Sequence, residues 1–259
     1  MAILTLKNVS SSPWGAPLLK NIDLELQGGE VHGLIGPNGA GKTSLLRCIS
    51  GDLPVDSGTI QFGGRDLQDW PLRERARSMA VLPQLSLLNF PYTVEEVVML
   101  GRTPHETGAR LDREVVDAAL EEMDIQSMRK RLYTQLSGGE KQRVQLARIF
   151  AQLWLPQGTQ PRLLLLDEPT AALDLAHQLQ LLDLIRRIAR EGCSVVLVVH
   201  DFNLLSGVAA RLSALRSGEL LAQGPVESVM AADVFDQLFG VKVHITSHPA
   251  DGRPIVISS

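Results

Sequence analysis

The sequence predicts an α/β fold with a parallel-sheet core and a helical insertion. Short apolar runs alternate with amphipathic helical stretches in the early and late parts of the chain. A glycine-rich loop, Gly36-Pro37-Asn38-Gly39-Ala40-Gly41-Lys42-Thr43, stands between an apolar run and a helical one. From Val94 to Leu100 and again from Asp112 to Met123 the hydrophobic period becomes helical, so the block at roughly 88–155 reads as a helical insertion. The chain has 259 residues, 44% hydrophobic and 21% charged, enough to bury a core.

The elements follow in order. Ile3, Leu4 and Leu6 open a strand-like run, and Ile22, Leu24 and Leu26 recur at period two. Gly28-Gly29 turns the chain into a buried strand at Val31–Ile35, and Thr43–Ser50 is the helix after the glycine loop. Strands are expected at Thr59–Phe62 and Met79–Leu82. In the helical block, Thr93 with Glu96 forms a capping box for a helix from Val94 to Leu100. Asp112 is read as the N-cap of the next helix, on which Leu111, Val115, Ala119 and Met123 share a face. After Pro161 come a strand at Leu163–Leu166, a helix at Leu175–Arg190 and a wholly apolar strand at Ser194–Val199. Leu212–Leu215 and Glu219–Ala222 flank Ser217-Gly218 as a hairpin. From Pro225 the reading is a short helix and a tail whose structure the sequence determines poorly.

Composition narrows the function classes. The net charge of −4 argues against a general nucleic-acid binder, and 4% aromatics leave little for base stacking. Two distant cysteines, Cys48 and Cys193, suggest neither a disulfide framework nor a zinc cluster, and a reducing compartment is expected. The N-terminal MAILTLKNVS has no charged region followed by an apolar run, so no targeting segment is expected. No apolar stretch approaches the roughly 20 residues of a membrane span.

The glycine loop carries the first chemistry. Its backbone can wrap a phosphate with inward N–H groups, and the following helix adds its positive end. Lys42 supplies a charge to the β- and γ-phosphates, Thr43 can ligate Mg²⁺ and Ser44 adds a hydrogen bond. A second site follows an apolar strand, Leu163–Leu166, at Asp167-Glu168. A parallel strand delivers its end to the ligand crevice, so Asp167 would hold Mg²⁺ and Glu168 would orient or deprotonate an attacking water. A third, Leu136-Ser137-Gly138-Gly139-Glu140, starts a helix with Ser137 as N-cap and forms a second anion site. A lone triphosphate does not need two.

Here the chain resembles the ATPase subunit of the ATP-binding cassette (ABC) family. LSGGE is similar to that family's signature, which contacts the γ-phosphate held by a partner subunit's phosphate loop. The resemblance implies a P-loop, RecA-like parallel core with an N-terminal antiparallel β-subdomain (1–87 and 156–259) and a helical subdomain at about 88–155. It implies a head-to-tail homodimer with two sandwiched ATP molecules, in which Ser137, Gly138, Gly139 and Glu140 act on the partner's ATP. Gln84 matches the Q-loop glutamine, which joins the Mg²⁺ shell. Ala171-Ala172-Leu173-Asp174 matches the D-loop, with Ala171 where serine is frequent, and His200 matches the switch histidine. Trp14 is the only aromatic near the region that often stacks on adenine, and it serves either there or as a loop anchor.

With no fused membrane span and no long heptad insertion, the resemblance points to an importer with a separate membrane permease dimer. The chain would then sit peripherally on the cytoplasmic face of the inner membrane, and a periplasmic binding protein would be an indirect partner. Leu87, Leu88, Phe90 and Tyr92 fall where the family docks the permease. Asn89–Val98 and Gly101–His105 are similar to importers of siderophores, haem and vitamin B12, and Ala151–Pro161 is most like haem-importer ATPases. Haem is therefore the expected cargo, with vitamin B12 or a ferric siderophore as the alternative and a soluble non-transport cassette as the remote one. His105, His177 and His244 are scattered and are read as surface histidines.

Overall fold

The structure, a computed structural model, describes residues 2–84, 88–154 and 160–258. Strand β1 (Ala2–Ser11) pairs antiparallel with β2 (Leu19–Gln27), placing Leu4 opposite Leu26 and Leu6 opposite Leu24. Next come β3 (Val31–Ile35), α1 (Lys42–Ser50), β4 (Ser57–Phe62), β5 (Arg65–Asp66), α2 (Leu72–Ser78) and β6 (Met79–Leu82). The helical middle holds α3 (Val94–Met99), α4 (Ala109–Glu122) and α5 (Gly138–Leu153). Then β7 (Arg162–Asp167), α6 (Leu175–Arg190), β8 (Cys193–Val198), α7 (Phe202–Ser206), β9 (Arg211–Arg216) and β10 (Glu219–Pro225) complete the main body. The chain closes with α8 (Val226–Val229), α9 (Ala232–Phe239), β11 (Val243–Ser247) and β12 (Pro254–Ser258).

Two larger sheets organise these elements. A four-stranded sheet runs β2-β1-β4-β5, with antiparallel pairing throughout. A six-stranded sheet runs β10-β9-β3-β8-β7-β6, parallel from β9 to β6, with β10 antiparallel at its edge. Leu163 to Leu166 are 0% exposed, since a central parallel strand is covered on both faces. Burying each contributes roughly 1.5–3 kcal/mol, so a charge at Leu165 would break the core here. Because β3, β8, β7 and β6 are parallel neighbours, the loops after them share one edge of the sheet.

The capping boxes at Thr93–Glu96 and Ser137–Glu140 both form. Asp112 does not cap its helix. The N-cap of α4 is Gly108, and Asp112 lies in the first turn, where Arg102 and Thr107 bond its Oδ1 at 3.0 and 2.6 Å. The buried guanidinium of Arg102 competes successfully for this carboxylate. The tail after Pro225, poorly determined by its sequence, is ordered. It forms two helices and a β11–β12 hairpin, whose Val243, Ile245 and Val256 pack against the core. Cys48 and Cys193 are free and buried.

Candidate nucleotide site

The candidate site grows out of the strand ends. β3 leads into the glycine loop and α1, β6 into Gln84, β7 into Asp167-Glu168, and β8 into His200. The backbone N–H of Glu168 donates to the carbonyl of Val198 at 2.9 Å, so the acidic pair is fixed to the strand that carries the histidine. Glu168 has a positive φ of 51°, a left-handed conformation that costs a non-glycine residue energy and tends to mark a functional position.

A cleft of about 490 Å³ opens at this edge, lined by Asn38 to Ser44, Gln84, Glu168, Pro17, Leu18, Lys20 and the Ser217-Gly218 turn. Gly36 and Pro37 sit at its root, where their carbonyls accept the Lys42 ammonium at 2.8 and 3.0 Å. Gly41 is the N-cap of α1 and offers no side-chain bond, and no acidic residue stands in the first turn. The leading N–H groups of α1 thus lack a capping side chain and favour an anion. Burial lowers the Lys42 pKa, although the Asp167 and Glu168 charges pull it back up. A buried ammonium beside a helix start without a side-chain cap suits a polyphosphate.

The acidic pair is arranged for two tasks. Thr43 donates its hydroxyl to Asp167 Oδ2 at 2.6 Å, while Oδ1 is buried without a partner. Burial pushes the Asp167 carboxyl above its ordinary range and the Glu168 charge adds to this, outweighing the Thr43 bond and the Lys42 charge. Glu168 Oε1 accepts Gln84 Nε2 at 3.0 Å and lies 2.7 Å from His200 Nε2. A carboxylate only accepts, so Nε2 of His200 carries the proton in this contact. Gln84, Glu168 and His200 therefore form one cluster.

Ser137, Gly138, Gly139 and Glu140 do not line this cleft. Ser137 caps α5, accepting the Glu140 N–H at 3.3 Å, while its own N–H donates to the Glu140 carboxylate at 2.7 Å. A Cβ on Gly139 would lie 2.6 Å from the carbonyl oxygen of Ala172, so that position also needs glycine for its packing against the 171–174 loop. Asp174 caps α6, its Oδ1 accepting the His177 N–H at 2.9 Å.

Other residues stand differently. Trp14 is 71% exposed and is not among the residues that line the cleft. His244 is exposed and His177 is half-buried against Asp174. His105 is half-buried as well: its Nε2 lies 2.8 Å from the Gln152 carbonyl, and burial lowers its pKa. Leu87 and residues 155–159 lie outside the described residues. Sequence reasoning missed Lys20 and the Ser217-Gly218 turn. The turn reaches the site because Gly218 donates to the Ala40 carbonyl at 3.0 Å and accepts from the Lys20 N–H at 2.8 Å. Gly218 has φ 82°, and a Cβ there would meet the Leu18 carbonyl oxygen at 2.6 Å.

Comparison with known proteins agrees with this geometry. Residues 19–171 match the ABC transporter family. The hemin import ATP-binding protein HmuV of Gloeobacter violaceus is 45% identical over 94% of this chain and 89% of its own length. Its namesake from Pseudomonas fluorescens is 43% identical over 99% and 100%. Among solved structures, the ATP-binding subunit of an ABC transporter has a TM-score of 0.78 at 24% identity, covering 92% of this chain and 93% of that one. An ATP-binding cassette of an ABC transporter in its ADP conformation reaches 0.75 at 20% identity, covering 89% and 95%. With a strand-end site of this composition and near full-length relatives of this kind, the chain belongs to the ABC transporter family as one of its ATP-binding subunits.

Proposed function

We propose that this chain is the ATP-hydrolysing subunit of a haem importer, working as a pair of copies beneath a membrane permease dimer. The observation that carries the hydrolytic reading is the convergence of Lys42, Thr43, Asp167, Glu168, Gln84 and His200 on adjoining strand ends. The cargo rests on similarity to the hemin import proteins over nearly the whole chain.

Each residue then has a task. The loop amides, the start of α1 and Lys42 bind and orient the β- and γ-phosphates. The orphaned Asp167 Oδ1, the Thr43 hydroxyl and the Gln84 carboxamide form an oxygen donor set that fits Mg²⁺, and these three residues would hold it. Mg²⁺ would supply charge neutralisation of the phosphates. Glu168 orients a water and takes its proton. His200 holds Glu168 at rest and donates to the γ-phosphate as charge builds there. Ser137, Gly138, Gly139 and Glu140, away from their own cleft, complete the site of the second copy, with Asp174 at the same interface. This reading keeps the helical subdomain at about 88–155 as the part that meets the permease.

Among the described residues no helix is long and apolar enough to cross a membrane, which accords with a subunit bound peripherally at the cytoplasmic face. Phe90 is 64% exposed and Tyr92 40%, with their ring centroids 6.1 Å apart. This apolar pair is the proposed permease contact. The periplasmic binding protein is reached only through the permease. The test is uptake into proteoliposomes holding this chain and its permease, with the cognate binding protein and haem, a ferric siderophore or vitamin B12 offered separately. ATP-dependent entry of haem is expected. Entry of vitamin B12 or a siderophore alone would refute the cargo, and co-purification with DNA or ribosomes in place of a permease would refute transport.

A further inference from the structure

The hairpin that ends the chain grips the helix that follows the candidate switch histidine. The His200 side chain is 59% exposed, so little packing holds it and its position depends on the backbone that presents it. That backbone is set by the start of α7, where Asp201 Oδ1 accepts the N–H groups of Asn203 and Leu204 at 2.8 and 3.0 Å. A five-residue helix is too short to be stable by itself; Leu205 holds it to the core and Arg186 holds its C-cap at Gly207, while its first two residues are anchored by the C-terminal unit.

Two adjacent residues of α7 are held. Phe202 packs on Phe235 and Phe239 of α9, with ring centroids at 4.9 and 5.4 Å. The Asn203 carboxamide takes both backbone groups of Val256: Nδ2 donates to its carbonyl at 3.1 Å, and Oδ1 accepts its N–H at 2.8 Å. Val256 lies opposite Ile245 in the β11–β12 ladder, but both its polar backbone groups turn outward to Asn203. One side chain thus does the work of a neighbouring strand. None of these hairpin residues lines the nucleotide cleft.

We propose that Asn203 is a positioning residue for His200, with the β11–β12 hairpin as the brace through which it acts. The inference rests on the reading of His200 as the group that serves the γ-phosphate. The brace orders α7, α7 fixes the Asp201 cap, and the cap sets the backbone from which His200 reaches Glu168. Losing it leaves the phosphate loop intact but spreads His200 over more conformations.

The test uses the full-length chain with Mg²⁺-ATP, measuring kcat, KM and melting temperature for Asn203→Ala, Asn203→Asp and Val256→Pro. Each is made alone and with His200→Ala. Val256→Pro removes the N–H that Asn203 accepts and no ladder bond, a position where proline is tolerated. A lost neutral hydrogen bond at this point should lower kcat by about three- to tenfold with KM unchanged. Asn203→Asp keeps the acceptor but sets a carboxylate oxygen against the Val256 carbonyl, and should lose at least as much. In the His200→Ala background the same substitutions should add nothing. Wild-type kcat in Asn203→Ala and Val256→Pro, or losses that multiply with that of His200→Ala, would overturn the brace. Wild-type turnover in His200→Ala would instead overturn the role given to the histidine.

Discussion

Replacing Arg102 with methionine should unlock the helical middle of the protein. Arg102 is 3% exposed. Its Nε donates to Asp112 Oδ1 at 3.0 Å, Nη1 to the Ala151 carbonyl at 2.7 Å, and Nη2 to the Thr107 hydroxyl at 3.0 Å. These bonds tie the turn after α3 to the first turn of α4 and the last turn of α5, the helix that opens with the signature residues. Methionine keeps the stem but leaves Asp112 with the Thr107 hydroxyl alone and strands the Ala151 carbonyl. Breaking a buried pair costs about 3–5 kcal/mol. The Asp112 side chain is 18% exposed, so water recovers part and the lower end, about 3 kcal/mol, is expected. At 2–4 °C per kcal/mol for a chain of this size, melting should fall by roughly 6–12 °C. The pH dependence has a definite sign. Burial alone would raise the Asp112 pKa, but the Thr107 and Arg102 bonds and the Arg102 charge hold it below the ordinary carboxylate value. Its contribution is therefore complete above the unfolded pKa and is lost as pH falls through the lower folded one. The gap between wild type and Arg102→Met should narrow in acid. Scanning calorimetry over pH, with Asp112→Asn and the double variant, measures this. The double variant should lose less than the sum of the singles. A loss below about 1 kcal/mol for Arg102→Met, the scale of a simple cap, or additivity in the cycle, would show that Arg102 does not hold the helical middle through Asp112.

Two further substitutions separate chemistry from docking. Glu168→Gln keeps an acceptor for Gln84 and His200 but loses the base, so steady-state turnover should drop by about 10²–10⁴ with ATP binding and melting temperature retained. Near-normal turnover in the purified variant would remove Glu168 from that role. Phe90→Asp puts a charge on an exposed ring, so folding and ATP binding should be unchanged. Pull-down with the permease should fail, and normal complex formation would place the contact elsewhere.

What the sequence made legible followed the strength of local signals. Val31–Ile35 and Leu175–Arg190 match the observed β3 and α6, because fully buried strands and amphipathic helices leave regular apolar patterns. The phosphate loop and the acidic pair were legible because their chemistry is contiguous in sequence. Asp112 was misread because caps and buried ion pairs use the same residue type, and its partner Arg102 lies ten positions away across a loop. The terminal hairpin was missed although Asp251-Gly252 is a turn signal between Val243/Ile245 and Ile255/Ile257. Each strand is short and only half-buried. The Ser217-Gly218 turn was legible as a turn but not as part of the cleft. Its contact with Ala40 and Lys20 is made across the fold, and no local pattern records it.

If ATP is hydrolysed at sites shared between two copies of this chain, two inactive copies with complementary defects should restore one site. Two such variants can be mixed. Lys42→Ala disables the phosphate loop, and Ser137→Arg disables the signature that serves the other copy. In a mixed dimer, the Ser137→Arg copy keeps an intact loop and the Lys42→Ala copy an intact signature, so one complete composite site forms. Single-turnover hydrolysis of bound ATP after mixing should therefore recover activity that neither variant shows alone. If each variant is inactive alone, mixed dimers are shown to form and no hydrolysis appears, the shared-site account is contradicted.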